Sequence, residues 1–169
     1  QLLDGYTVGI AAFKGTDATN VYENLSEMYH NQREDWKKRA RLISDNKDGL
    51  AWKNGSRIHM FSQGGREPAR GYTLQMLHCT EYGKWVNPGE TLAAMLPAVV
   101  PDGDIIIEST AGGFNDYEVK CRLAQTEPDY LWELDFLPWY WADEYKEPVP
   151  PTFQPPQEEV AHMRSPGLP

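Results

Sequence analysis

Two short apolar runs in this sequence end in side chains that can do chemistry. The run 74–79 leads into Glu81, and the run 104–108 leads into the hydroxyl pair Ser109–Thr110. Both runs have the length and composition of buried strands. A helix-like segment separates them, and in open α/β sheets ligands are handled at the carboxyl ends of such strands. The spacing therefore predicts a mononucleotide-type site built from Glu81 and the hydroxyl pair.

Composition narrows the class of protein. With 169 residues and 40% hydrophobic side chains, the chain suits one domain with a real core. It has neither a long apolar run nor a signal peptide pattern, which predicts a soluble chain with no membrane partner. Two cysteines are too few for a disulfide framework and fit a reducing compartment. The net charge of −9 argues against gripping nucleic acid by bulk electrostatics.

The elements that must position these groups follow from periodicity and turn signals. The predicted order is β-α-ββ-β-α-β-α-β, an α/β fold with a mostly parallel sheet and an inserted β-hairpin. The strands are expected at 6–13, 50–53, 56–61, 74–79, 104–108 and 130–136, and the helices from about residue 18, from Pro88 and over 114–126. Thr16 or Asp17 is the expected N-cap of the first helix. Asn54–Gly55 predicts the hairpin turn.

Two further segments have a distinctive composition. Residues 33–41 concentrate positive charge on a predicted helix, which is either a solvated face or a patch that touches a nucleic acid backbone. From Glu147 onward repeated prolines predict an extended linker or tail. We therefore assign 1–146 to one domain and 147–169 to a proline-rich tail. Because Gln1 is not an initiator residue and a strand follows almost at once, we expect a fragment of a longer protein.

Several weak motifs occur together in a familiar order. They are Asn54-Gly55-Ser56, Ala69-Arg70-Gly71, the run 77–85, Glu108-Ser109-Thr110-Ala111 and Phe136-Leu137-Pro138-Trp139. Over residues 6 to 145 this order resembles the ATPase domain of the large terminase subunit, the DNA-packaging motor of tailed bacteriophages. The resemblance implies a P-loop NTPase-like three-layer fold, here truncated at its N-terminus.

The resemblance also implies roles for the residues that end the central strand. Glu81 falls at the acidic position that ends the Walker B strand and orients the attacking water, a task that suits a carboxylate. The alternative is a plain strand-end carboxylate. Thr80 occupies the place where many relatives carry a magnesium-binding aspartate, and an uncharged hydroxyl is a weaker metal ligand.

Arg70 and the hydroxyl pair complete the implied site. Arg70 matches the arginine finger that the family offers to the nucleotide of a neighbouring subunit, where a guanidinium neutralises charge on the transferred phosphoryl group. The alternative is a structural arginine paired with Glu67 or Asp102. Ser109 and Thr110 match the coupling motif that senses phosphate. Their alternative role is a strand-to-helix cap.

Two expected parts of the family are missing from the sequence. No Gly-x-x-x-x-Gly-Lys-Ser/Thr run exists, and Lys14-Gly15-Thr16 lacks the first glycine and follows the wrong strand. The RNase H-like nuclease domain is also absent. ATP and Mg²⁺ are therefore implied for the intact parent, and neither is expected to bind tightly to this fragment.

The resemblance implies partners and a location as well. The partners are double-stranded DNA, the portal protein, the small terminase subunit and sister subunits in a ring. The location is the cytoplasm of the infected bacterial host, at the procapsid portal. The rival hypothesis is a P-loop-like α/β module that has lost hydrolysis and serves in binding or assembly.

Overall fold

A computed structural model describes residues 4–64, 69–138, 141–145, 147–148, 150–154 and 156–157. Clustering of contacts divides the chain into two units, residues 1–133 and 134–169. In the first unit the strands are β1 (Thr7–Ala12), β2 (Leu42–Asn46), β3 (Gly49–Trp52), β4 (Arg57–Ser62), β5 (Leu74–Cys79) and β6 (Val99–Ile107). The α-helices are α1 (Gly15–His30), α2 (Glu34–Arg39), α3 (Pro88–Met95) and α4 (Asp116–Thr126).

The six strands form one sheet in the order β2-β3-β4-β1-β5-β6. β4, β1, β5 and β6 are parallel neighbours, and β3 pairs antiparallel with β4 and with β2. The predicted α/β class, the mostly parallel sheet and the inserted hairpin are therefore confirmed. Gly55 has φ +88 in the hairpin turn and donates its N–H to the Trp52 carbonyl at 3.0 Å. Because few residues other than glycine adopt that φ, Asn54–Gly55 sets the turn.

The core explains why β5 is central. The buried cluster takes Ala11 from β1, Leu77 and Cys79 from β5, and Leu92 and Met95 from α3. Burial raises the pKa of the Cys79 thiol to about 12, so this group behaves as a small hydrophobe. β6 forms one edge of the sheet among the described residues, and Ile106 on it is 45% exposed.

Three local predictions are wrong. α1 begins at Gly15 with Lys14 as its N-cap, so neither Thr16 nor Asp17 caps it. β2 was not predicted, because its sequence is half polar and its pairing with β3 is a tertiary contact. Residues 130–136 form no strand: side-chain exposure alternates over 130–135, but the described residues offer them no hydrogen-bonded neighbour.

The second unit is small and contains a short 3₁₀ helix, Asp143–Tyr145. Its hydrogen bonds include turns in which Trp141 donates to the Pro138 carbonyl at 3.0 Å and Phe153 to the Pro150 carbonyl at 2.9 Å. The predicted tail at 147–169 falls mostly outside the described residues. In the described part of the chain, no helix is long and apolar enough to cross a membrane.

Candidate functional site

The carboxyl ends of β5 and β6 bring the predicted acid and the hydroxyl pair to the same edge of the sheet. The parallel register pairs Cys79 with Ile107, so Thr80 and Glu108 are level one residue further on. Beyond that level, Gly83 donates its N–H to the Ser109 hydroxyl at 3.1 Å. The loop after β5 is thus attached to the loop after β6. We refer to Thr80–Lys84 together with 108–110 as the edge cluster.

Glu81 has an unusual backbone conformation in this cluster. Its φ is 55° and its ψ 35°, the left-handed region, which costs a residue with a β-carbon about 1–2 kcal/mol. Among the described residues only Ala69 shares a positive φ without being glycine. Strain of this kind persists where the surrounding structure fixes it, and it is concentrated at functional sites.

The Glu81 side chain is half-buried and lies beside a cation. Its Oε2 is 2.8 Å from Lys84 Nζ, and the carboxylate raises the pKa of that ammonium group. The angle at this contact is outside the range of a hydrogen bond, so the buried Oε2 atom still lacks a hydrogen-bond donor. A buried carboxylate oxygen without a donor is suited to accept one from a water molecule.

The Ser109 hydroxyl is fully used by the neighbouring backbone. It accepts from Gly83 N–H and donates to the Thr110 carbonyl at 3.0 Å. A β-carbon on Gly83 would lie 2.8 Å from Ser109 Oγ, so only glycine allows this approach. The Thr110 side chain is exposed.

Helix α4 is tied to the same loop. Asn115 caps α4 by accepting the Glu118 N–H at 3.1 Å, and its amide donates to the Gly83 carbonyl at 3.0 Å. The buried Tyr82 hydroxyl donates to Asp116 at 2.8 Å. Burial and this hydrogen bond raise the pKa of Tyr82, so it stays neutral. A displacement of the loop after Glu81 would therefore reach α4 directly.

Thr80 does not face open solvent. It is buried, and its hydroxyl donates to the Glu108 carboxylate. Among the described residues, no group of three or more His, Cys, Asp or Glu side chains is arranged to hold a metal ion. These residues fit a water-orienting carboxylate, whereas nothing in this part of the chain assembles a complete Mg²⁺ or triphosphate site.

Arg70 lies apart from the edge cluster. It is exposed on the turn Ala69–Tyr72, which comes before β5, whereas Glu81 follows β5. Tyr72 of the same turn packs on His59 and Phe61 of β4, with ring centroids 4.5 and 5.1 Å apart. Ala69 is buried with φ +64, so the turn is fixed from below while Arg70 points outward. Glu67, one of its two proposed structural partners, lies outside the described residues.

Sequence analysis did not select Glu108 or Gly83. Register was the signal that could have found Glu108, since parallel strands of equal level place it beside Thr80. The pKa of Glu108 is below its ordinary 4.5 because His78 hydrogen-bonds to it, with burial opposing and Thr80 and the Glu81 backbone adding to the effect. Gly83 carries no sequence pattern that marks its close approach to Ser109.

The sheet order, the strand-end acid and the attached hydroxyl loop define an α/β module of the P-loop NTPase-like class. Neither a family model nor a curated protein sequence matches the chain.

Solved structures provide a comparison of folds. The chain is similar to the large terminase ATPase domain of Thermus phage P74-26, with a TM-score of 0.56 and 18% identity over 70% of this chain and 53% of that one. The large terminase from a thermophilic bacteriophage, in complex with ADP, gives 0.49 and 14% over 69% and 29%. Another crystal form of that second terminase gives 0.47 and 15% over 63% and 27%.

The chain thus has the fold of a phage large-terminase ATPase domain, and the resemblance predicted from the motifs is confirmed for the fold. This statement rests on the Thermus phage domain, since both crystal forms of the second terminase have TM-scores too low to support an argument. The chain spans about half the length of the Thermus phage domain.

Proposed function

We propose that this chain is part of the ATPase motor of a phage terminase large subunit, which hydrolyses ATP to drive double-stranded DNA into a procapsid. The observation that carries the proposal is the Glu81 carboxylate. It lies at the carboxyl edge of the central strand, in a left-handed conformation, with a buried oxygen that lacks a donor. In this role Glu81 orients the attacking water and accepts its proton.

The remaining roles follow from the same proposal. Ser109 and Thr110 couple the chemistry to motion, which the Gly83–Ser109 hydrogen bond and the ties from Asn115 and Tyr82 to the same loop support. Arg70 acts on the nucleotide of a neighbouring subunit, a role that its exposure on a separate turn supports. ATP and Mg²⁺ bind to the intact protein, with phosphate-binding groups supplied from beyond this chain.

The intact motor would work in the cytoplasm of the infected bacterium, at the procapsid portal. Its partners would be DNA, the portal protein, the small terminase subunit and sister subunits in a ring. The second candidate is an assembly module without hydrolysis. The absence of a phosphate-binding loop motif from the sequence favours it for the chain on its own.

The test is ATP turnover by the full-length terminase-like protein. We expect Glu81→Gln to lower kcat by about 10²–10⁴-fold and Arg70→Ala by about 10³-fold or more. Because Arg70 is proposed to act in trans, a mixture of the two variants should recover part of the activity. Glu27→Gln and Arg33→Ala, at exposed positions on α1 and beside α2, are the matched controls.

Each arm has an outcome that contradicts it. A wild-type protein without ATP turnover would favour the assembly module. Full activity in Glu81→Gln would remove the water-orienting role, and full activity in Arg70→Ala would remove the arginine finger. A mixture no more active than its components would show that Arg70 acts within its own subunit.

A further inference from the structure

The Glu108 carboxylate sits at the centre of the edge cluster and has no part in the function proposed above. It follows β6, and the parallel register makes it level with Thr80. His78 Nε2 lies 3.5 Å from Glu108 Oε1 on one side. The Thr80 hydroxyl and the Glu81 backbone N–H donate to the same carboxylate. The end of β5 and the start of the loop after it therefore converge on one side chain.

The main chain of Glu108 adds a further contact to this loop. Its carbonyl accepts the Tyr82 N–H at 3.1 Å, and its N–H donates to the Cys79 carbonyl at 3.0 Å. Glu108 thus accepts the N–H groups of two successive residues, Glu81 through its side chain and Tyr82 through its backbone. Two successive N–H groups aimed at neighbouring acceptors define the backbone direction at the residue between them.

That residue is the strained one. The left-handed backbone of Glu81 is disfavoured for any residue with a β-carbon, and it persists only when neighbouring groups fix it. The side-chain direction of Glu81 depends on this backbone conformation. A change in the Glu108 contacts would let the backbone relax toward an ordinary region and would turn the Glu81 carboxylate away from its present position.

We propose that Glu108 is a positioning residue for Glu81, holding the left-handed backbone through Thr80 and the Glu81 N–H so that the Glu81 carboxylate faces the reacting water. The inference rests on the proposed ATPase function. It assigns no contact between Glu108 and the nucleotide. His78 is assigned the supporting role of orienting the Glu108 carboxylate from the other side.

The experiment measures kcat and KM for ATP in the full-length protein. Glu108→Ala removes every side-chain contact and should lower kcat by about 10²-fold with KM for ATP within about twofold, because misplacement of a catalytic group affects the chemical step. Glu108→Gln keeps an oxygen that accepts from Thr80 and Glu81, so it should recover about half of that loss on a logarithmic scale. Glu27→Ala on the exposed face of α1 is the matched control.

Combination with Glu81→Gln separates positioning from general structural support. In that background the group to be positioned is already replaced, so Glu108→Ala should change the residual rate by less than about twofold. A residue that supports only folding would lower the residual rate by the same factor in both backgrounds. Thr80→Val and Thr80→Ser provide a second pair at a buried site, and only the valine variant, which lacks the hydroxyl, should lower kcat.

The outcomes that overturn the inference differ from those that overturn the function. If Glu81→Gln abolishes turnover but Glu108→Ala keeps full kcat, or lowers the Glu81→Gln rate equally, the positioning role is wrong while the ATPase assignment stands. A raised KM with unchanged kcat would make Glu108 a binding residue and would also overturn it. If Glu81→Gln itself keeps full activity, the proposed function falls first.

Discussion

Two carboxylates in this molecule collect several hydrogen-bond donors, and they do so in different ways. Asp45 on β2 accepts only side chains: the Tyr22 hydroxyl at 2.9 Å, the Ser26 hydroxyl at 3.0 Å and His30 Nε2 at 2.8 Å. These donors are four residues apart on α1, so they lie on one face of the helix. Asp45 therefore attaches a helix to an edge strand of the sheet.

Glu108 instead accepts from the backbone of the loop that carries Glu81, as well as from side chains. Its contacts do not join two regular elements but fix the path of the chain at a residue with left-handed φ. The difference teaches that donor type separates the two kinds of cluster. Side-chain donors in helical spacing stabilise packing, whereas backbone donors around a strained residue set the direction of a reactive group.

The largest expected effect is at the edge cluster. Gly83→Ala places a β-carbon 2.8 Å from Ser109 Oγ and should push the two loops apart. A shift of about 1 Å at this point should lower ATP turnover by about 10²-fold. Steady-state kinetics of the full-length protein measures it.

Gly89→Ala is the matched control for that variant. Gly89 lies in α3, and a β-carbon there would meet nothing within 4 Å. Turnover should be unchanged and the free energy of unfolding should rise by up to about 1 kcal/mol. Equal turnover in the two alanine variants would show that the Gly83–Ser109 contact has no role in the chemistry.

The next effect concerns the Asp45 cluster and is one of stability. Asp45→Ala should lower the free energy of unfolding by about 1–2 kcal/mol, a modest value because the donors are exposed to water. Turnover at a temperature where the variant is folded should stay within about twofold of wild type. Urea denaturation and kinetics on the same preparation test both halves. A large loss of kcat would remove the contrast between the clusters.

A smaller effect with the opposite sign is expected for backbone strain. Glu81→Gly should raise the free energy of unfolding by about 0.5–1 kcal/mol, because glycine adopts the left-handed region without penalty. The same variant should lose turnover. Glu27→Gly within α1 should instead lower the free energy of unfolding by about 1 kcal/mol. Destabilisation by Glu81→Gly would mean that the conformation at Glu81 is not strained.

The smallest effect is on the acid limb of the stability curve. His30, with Tyr22 and Ser26 and against some burial, holds the pKa of Asp45 below its ordinary 3.8, and that of Glu108 lies below 4.5. A lowered folded-state pKa gives stability that is present above the unfolded value and is lost as pH falls through the folded one. Asp45→Asn should flatten the curve below pH 3.8, and Glu108→Gln below pH 4.5.

Chemical denaturation at a series of acid pH values measures these slopes. Each variant should differ from wild type mainly on the acid side of its own range. A slope identical to that of wild type would show that the carboxylate gains no stabilising contact on folding.

Much of the fold could be predicted from local patterns. The apolar runs of β1 and β5, the Asn54–Gly55 turn and the proline that begins α3 each carry their structure within a few residues. The placement of Glu81 and Ser109 at one edge followed from the parallel arrangement of their strands.

The remaining features depend on contacts that periodicity does not encode. β2 needs β3 as a partner, and residues 130–136 have a strand-like pattern without one. The Glu108 network depends on register between strands that are distant in sequence. The left-handed conformation of Glu81 is imposed by that network against the preference of the residue itself.

The sheet edge formed by β6 has a practical consequence. Its first half carries Pro101, Asp102 and Asp104, residues that discourage edge-to-edge pairing, whereas Ile105, Ile106 and Ile107 leave the second half unguarded. Concentrated solutions of the isolated chain should therefore self-associate through the isoleucine half while the rest of the molecule remains folded. Dilute handling, or a covering strand supplied in trans, should keep such samples monodisperse.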